Sequence, residues 1–212
     1  ASALMVVQLG SAAVHAQSDA IARRLTAIFV GLFGVLVIVS PLGIALVWGE
    51  EYRAAAGILP VLLLAVMLTS IALGAATTLQ STRARGPRAV AYLNLGGLVV
   101  SLAVWPVLAP RLGTTGAALG YLVGAGAASL GALATVWWVE RHRWLDLAAR
   151  LGGGIALVVV LAALARSVDG VGGAVAQVGA ALLFGAVWLA LSRREVAALW
   201  ATVRGSGGTP TA

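Results

Sequence analysis

Ser81-Thr82-Arg83-Ala84-Arg85-Gly86-Pro87-Arg88 sets three arginines, and no acid, between two uncharged runs at 54–82 and 89–110. A short basic loop between two long apolar runs predicts a transmembrane hairpin whose loop stays on the cytoplasmic side. Gly86-Pro87 should end one helix and start the next, because proline lacks the N–H that a helix interior needs. With this loop placed inside, every other loop acquires a side.

Composition agrees with a membrane solvent. Of the 212 residues, 61% are hydrophobic and 10% are charged, against about 25% charged in a soluble domain. The net charge is +7, and every basic residue is arginine. These arginines sit in short loops between apolar runs, a pattern of membrane orientation and anionic headgroups, which argues against a nucleic-acid partner. Cysteine is absent, so disulfides, thiol catalysis and thiolate metal sites are excluded. Residues 1–16 lack the basic first region of a signal peptide, and Gln8 interrupts their apolar run, so they read as a membrane helix.

About 20 residues of helix cross a hydrocarbon core of roughly 30 Å. On that measure the expected fold is an all-α, polytopic bundle. Seven spans are expected, near 1–18, 25–49, 57–80, 89–109, 113–139, 151–168 and 171–192. An amphipathic cytoplasmic helix should follow at 193–204 and a disordered tail at 205–212. The sixth span is the weakest, with Arg150 and Arg166 close to its ends. The arginines test the count. Arg23, Arg24, Arg83, Arg85, Arg88, Arg141, Arg143, Arg150, Arg193, Arg194 and Arg204 fall on one side, and Arg53, Arg111 and Arg166 on the other. Eleven against three supports seven spans with the first residue outside and the last inside the cell. Trp48 and Trp105 at outer ends, and Trp137 and Trp138 at an inner end, suit the interfacial preference of indole. The stretch 140–150, which mixes charge with Trp144, Leu145 and Leu147, reads as a short interfacial piece. Pro60 is expected close to a helix start, and Pro41 should kink the second span.

The seven carboxylates, Asp19, Glu50, Glu51, Glu140, Asp146, Asp169 and Glu195, all fall in loops or at span ends. A proton- or sodium-coupled transporter usually keeps an acid at mid-membrane, so no coupling site is visible. The two histidines, His15 and His142, lie far apart, and no triad, zinc motif or phosphate loop occurs. An enzyme is therefore not expected, nor a metal or cofactor. Polar residues inside spans usually face protein or a wet cavity. Gln8 and His15 in the first span, and Asn94 in the fourth, are the candidates, with interhelical hydrogen bonding as the plain alternative. Arg23, Arg24, Arg83, Arg85 and Arg88 are candidates for contact with a diphosphate headgroup, or with membrane lipid. Gly116, Gly120 and Gly124 form a ladder of small residues on which another helix can pack closely.

Three stretches together resemble one family. Trp48-Gly49-Glu50-Glu51-Tyr52-Arg53-Ala54-Ala55 is similar to the outer loop of polysaccharide and O-antigen flippases. Leu79-Gln80-Ser81-Thr82-Arg83-Ala84-Arg85, with Asn94-Leu95-Gly96-Gly97 after it, resembles their basic inner loop and the Asn-bearing helix that follows. Ala109-Pro110-Arg111-Leu112-Gly113-Thr114-Thr115-Gly116-Ala117-Ala118 is similar to their helix–helix turn. The resemblance covers roughly residues 18 to 139. These flippases belong to the multidrug, oligosaccharidyl-lipid and polysaccharide exporter superfamily, bundles of twelve to fourteen helices in two lobes that work by alternating access. The resemblance implies that the chain is the C-terminal lobe of a transporter for lipid-linked oligosaccharides in the cell membrane, partnered by an N-terminal lobe or a second copy. It departs from the family in the first span, where Val14-His15-Ala16-Gln17-Ser18 holds neither the proline nor the arginine often found there. Two other functions fit the same residues: a drug or metabolite exporter of the superfamily, and a non-transporting scaffold for polysaccharide synthesis.

Overall fold

In a computed structural model the backbone is described for residues 2–82, 85–140, 145–168 and 170–205. Side chains are described for 19–49, 51–52, 55–80, 85–138, 145–168, 170–198 and 200–201. Among the described residues the fold is all-helical. Its elements are α1 (Ser2–Trp48), a 3-10 turn (Glu50–Tyr52), α2 (Arg53–Thr82), α3 (Gly86–Glu140), α4 (Leu145–Arg166), α5 (Gly170–Leu191) and α6 (Arg193–Gly205). Five stretches are long and apolar enough to cross a membrane: Asp19–Val47 in α1, Ala55–Gln80 in α2, Gly86–Trp138 in α3, and all of α4 and α5. Their outward faces carry Leu32, Leu95, Val99, Leu164, Val171 and Leu182, all more than half exposed. Such faces are a liability in water and the ordinary surface of a helix in lipid. These helices mark a membrane-embedded chain.

α3 is 55 residues long but is not one rod. Gly113 leaves helical geometry at φ 58° and ψ −136°, a region open to glycine and strained for other residues. Around it the chain reverses into two antiparallel arms, 86–112 and 114–140. The reversal is recorded in the cross-contacts: Trp105 Nε1 donates to the Ala117 carbonyl at 3.0 Å, Gly97 faces Gly124, and Leu93 faces Gly131. Position rises along one arm as it falls along the other. Gly116, Gly120 and Gly124 form the seam of this hairpin. A Cβ on Gly124 would stand 2.5 Å from the Gly97 carbonyl oxygen, and one on Gly120 would stand 2.0 Å from the Trp105 ring. The ladder is thus covered by the chain's own preceding arm.

Three local readings change. The expected break between 18 and 25 is absent, and α1 runs through it as 47 continuous residues, about 70 Å at 1.5 Å per residue. Asp19 to Arg24 contains neither glycine nor proline, so nothing local stops the helix. The stretch 145–150 is the first part of α4, not a separate interfacial piece. Leu147 and Leu151 begin the buried stripe that continues through Gly154, Val158, Ala162 and Ala165, with the three- and four-residue spacing of one helix face. Pro60 lies two turns inside α2, which starts at Arg53.

Pro41 sits inside α1 and strips one donor from the helix. The surroundings compensate twice. The Ser40 hydroxyl donates to the Val37 carbonyl at 3.1 Å, which is the acceptor that Pro41 cannot serve. The next amide, Leu42 N–H, donates across to the side-chain oxygen of Gln177 on α5 at 3.1 Å. Helix α1 ends at Gly49, whose φ of 81° is the usual left-handed stop.

α1 is the central element. It packs on α2, α4, α5 and α6, whereas the α3 hairpin packs on α2. One core joins Val30, Val37 and Ile38 of α1 to Met67, Val158, Phe184 and Trp188; a second joins Ala22, Leu79, Val90, Val136 and Leu147. Trp188 is anchored by its indole N–H, which donates to the Ala27 carbonyl at 2.7 Å. The second core gathers 22, 79, 90, 136 and 147 at one end of the bundle, called here the α6 end. Ion pairs Arg23–Asp146 and Arg150–Glu195 lie there too. Arg53, Arg111 and Arg166 belong to helix ends of the opposite side, beside Gly49, Gly113 and Gly170.

Candidate functional site

A groove between α2 and the α3 hairpin collects the polar side chains that face outward. α2 is apolar almost throughout, so its packing face is decided by neighbours and its remaining face is free to be polar. Thr69, Thr77 and Gln80 are exposed, and 100° per residue sets all three within about 80° of one another. The two threonines are satisfied locally. Thr69 Oγ1 donates to the Val66 carbonyl at 2.9 Å and Thr77 Oγ1 to the Gly74 carbonyl at 2.9 Å. Their lone pairs stay open as acceptors.

The groove has a volume of about 260 Å³ and is lined by Thr69 and Gln80 from α2, Asn94 from the first arm of α3, and Ser129 from the second. Its walls are otherwise small or aliphatic, including Ala72, Ala76 and Leu93. Two carboxamides and two hydroxyls offer donors and acceptors without net charge. That donor set suits neutral, hydroxyl-bearing groups.

The turn from α2 to α3, next in the chain to the groove-lining Gln80 and Val90, is basic. Gly86 approaches the Leu79 carbonyl so closely that a Cβ would stand 1.7 Å from its oxygen, which lets α3 start immediately beside the end of α2. Pro87 then occupies the first turn, where its missing N–H costs nothing. Arg85 and Arg88 project exposed from this turn. Asn94 follows Arg88 by six residues, about 9 Å along the helix and about 120° around it. Arg83 lies outside the described residues.

Arg23 is placed otherwise. It forms a two-point ion pair with Asp146, the second contact being 3.4 Å, and so ties α1 to α4. Arg24 is half-buried on the neighbouring position. Both share the α6 end with Arg85 and Arg88, but among the described residues none from α1 lines the groove. The side chains of Gln8 and His15 lie outside the described residues.

A parallel ion pair, Arg150 with Glu195, ties α4 to α6. Burial works against the charged Glu195 carboxylate, but its own backbone amide and the Arg150 guanidinium outweigh that. Its pKa accordingly sits below the ordinary glutamate value. Among the described residues no three His, Cys, Asp or Glu side chains gather as metal ligands.

Sequence reasoning singled out Asn94 but missed Gln80, Thr69, Ser129 and Gln177. The signal for Gln80 and Gln177 was present, since a carboxamide within an apolar span implies a protein or water partner. Thr69 and Ser129 carried no such signal, because a hydroxyl can satisfy itself on its own helix. No protein-family profile, curated protein or solved structure matches the chain.

Proposed function

We propose that this chain is the C-terminal lobe of a flippase for lipid-linked oligosaccharides, working by alternating access in the cell membrane. The observation that carries the reading is the polar groove of Gln80, Asn94, Thr69 and Ser129, with Arg85 and Arg88 exposed on the adjoining turn from α2 to α3. In this reading the arginines, with Arg83, attract a lipid diphosphate by charge, and the uncharged groove takes up sugar hydroxyls. The resemblance of 79–97 and 109–118 to flippases supports the same assignment. The α6 end is cytoplasmic, following the arginine excess. Arg23 and Arg24 add to the local positive field, and a second lobe or a second copy supplies the other wall of the cavity. The protein moves its substrate without covalent chemistry.

Seven crossings complete the proposal. The five apolar stretches make six, because α3 crosses twice, and residues 1–18 make the first in a membrane-inserted form in which α1, continuous in the structure, bends at Asp19–Arg24 on the cytoplasmic surface. Gln8 and His15 then sit at membrane depth. The test is flipping of a fluorescent lipid-diphosphate-linked saccharide by the native protein in liposomes, read by quenching of the exposed leaflet. Flipping should fall about tenfold or more in R85E/R88E and in Q80L/N94L, since each removes charge-assisted or paired hydrogen bonds worth about 1.5 kcal/mol or more. Flipping that is absent in the native protein, or untouched in both variants, would refute it.

A further inference from the structure

At the end opposite α6, a cavity of about 430 Å³ opens between α1, α2, α4 and α5. Small residues make the room: Ala45, Gly49, Ala56, Gly173 and Ala174 line it. Two side chains give it chemistry, Arg166 from the end of α4 and Gln177 from α5. Among the described residues no acid is in its lining. Glu51, the described carboxylate on this side, lies outside it, and the side chains of Glu50 and Asp169 are outside the described residues.

Gln177 is oriented by the break at Pro41. Leu42 N–H needs an acceptor and finds the Gln177 side-chain oxygen at 3.1 Å. The amide nitrogen of Gln177 therefore keeps both N–H donors for the cavity. Arg166 adds a planar fork of five donors and a permanent positive charge. Apart from one lone pair on the Gln177 oxygen, the positions that these two side chains leave open are donors. Arg166 is the last residue of α4 and lies at the interfacial end of that helix, where a cationic side chain attracts anionic groups.

We propose that this cavity binds a phosphate-class oxyanion, held by the Arg166 guanidinium and the Gln177 carboxamide. The chemistry is shared by free phosphate and by the headgroup of an anionic lipid. The site is remote from the α2–α3 groove and does not depend on the flippase reading.

The test uses the full chain in phosphatidylcholine nanodiscs. Inorganic phosphate is titrated by thermophoresis, and retention of added phosphatidylglycerol is followed by native mass spectrometry. Saturable phosphate binding identifies the free ion, and retention of phosphatidylglycerol without phosphate binding identifies the headgroup. Either should weaken about tenfold or more in R166Q, which loses a charge-assisted hydrogen bond, and should largely persist in R166K. Q177E keeps the acceptor for Leu42 N–H and brings a negative charge to the site, so it should abolish binding with helix content unchanged by circular dichroism. Binding of neither probe, binding that R166Q and Q177E leave intact, or much tighter binding in D169N than in the native protein would each overturn the proposal. The last result would make Asp169 the partner of Arg166.

Discussion

Replacing Gly97 by alanine tests the hairpin at its closest point. A Cβ there would stand 2.6 Å from the Gly124 carbonyl oxygen and 2.7 Å from the Ala128 Cβ. Neither is the free end of a flexible side chain, so the two arms must separate by several tenths of an ångström. Overpacking of this kind costs about 1–3 kcal/mol. Alanine also returns about 0.5–1 kcal/mol, because glycine is a poor helix former. The net expectation is a loss of about 1–2 kcal/mol. Gly96 is the internal control. It lies one residue away on the same arm, and nothing stands within 4 Å of a Cβ there, so G96A should be neutral or stabilising by about 0.5–1 kcal/mol. The assay is reversible unfolding of the purified protein in mixed micelles, followed by circular dichroism. G124A, whose Cβ would meet the Gly97 oxygen at 2.5 Å, should match G97A, and the double variant should cost less than the sum, because either change already parts the arms. If G97A proves as harmless as G96A, the arms do not touch at this seam, and Gly86–Glu140 would be a single rod of about 80 Å.

Three further outcomes follow from the packing. W188F removes the indole donor to the Ala27 carbonyl and should destabilise by about 1 kcal/mol, read by the same unfolding assay. Q177L removes the side-chain acceptor of the Leu42 amide beside Pro41 and should cost about 0.5–1.5 kcal/mol, whereas Q177E should cost less because its oxygen still accepts. The depressed Glu195 pKa stabilises the docked α6 above the unfolded glutamate value. That contribution is lost as pH falls through the lower folded value. Protection of the Arg193–Gly205 amides, taken relative to their intrinsic exchange rates, should therefore fall on acidification in the native chain, and E195Q should show low protection with no such dependence.

Much of the architecture could be inferred from punctuation and charge. Gly86-Pro87 and Pro110 to Gly113 mark the turns at both ends of the first α3 arm, and the arginines within the described residues separate into the two ends that the structure holds apart. Which face of each helix packs could not be inferred. These helices are apolar all round, so no amphipathic stripe distinguishes a buried face from a lipid-facing one. Leu147 and Leu151 show the same difficulty, since their burial against the bundle extends α4 back across residues whose charges suggested an interfacial segment. The continuity of α1 was hidden because charge at Asp19, Arg23 and Arg24 suggests a loop, while helix propensity there is unbroken. At the groove, Asn94 was legible by its depth in an apolar run. Its companions on α2 and on the second arm depend on helix rotation, which only packing sets.

The most direct test of the account is the sidedness of the α3 hairpin relative to α6. The chain has no cysteine, so single cysteines report without background. T114C, beside the Gly113 reversal, should react with a membrane-impermeant maleimide in intact cells. A201C, exposed on α6, should react only after the membrane is opened. Labelling of both positions from the same side, or the reverse pattern, would contradict a bundle that crosses the membrane with its arginine-rich end in the cytoplasm.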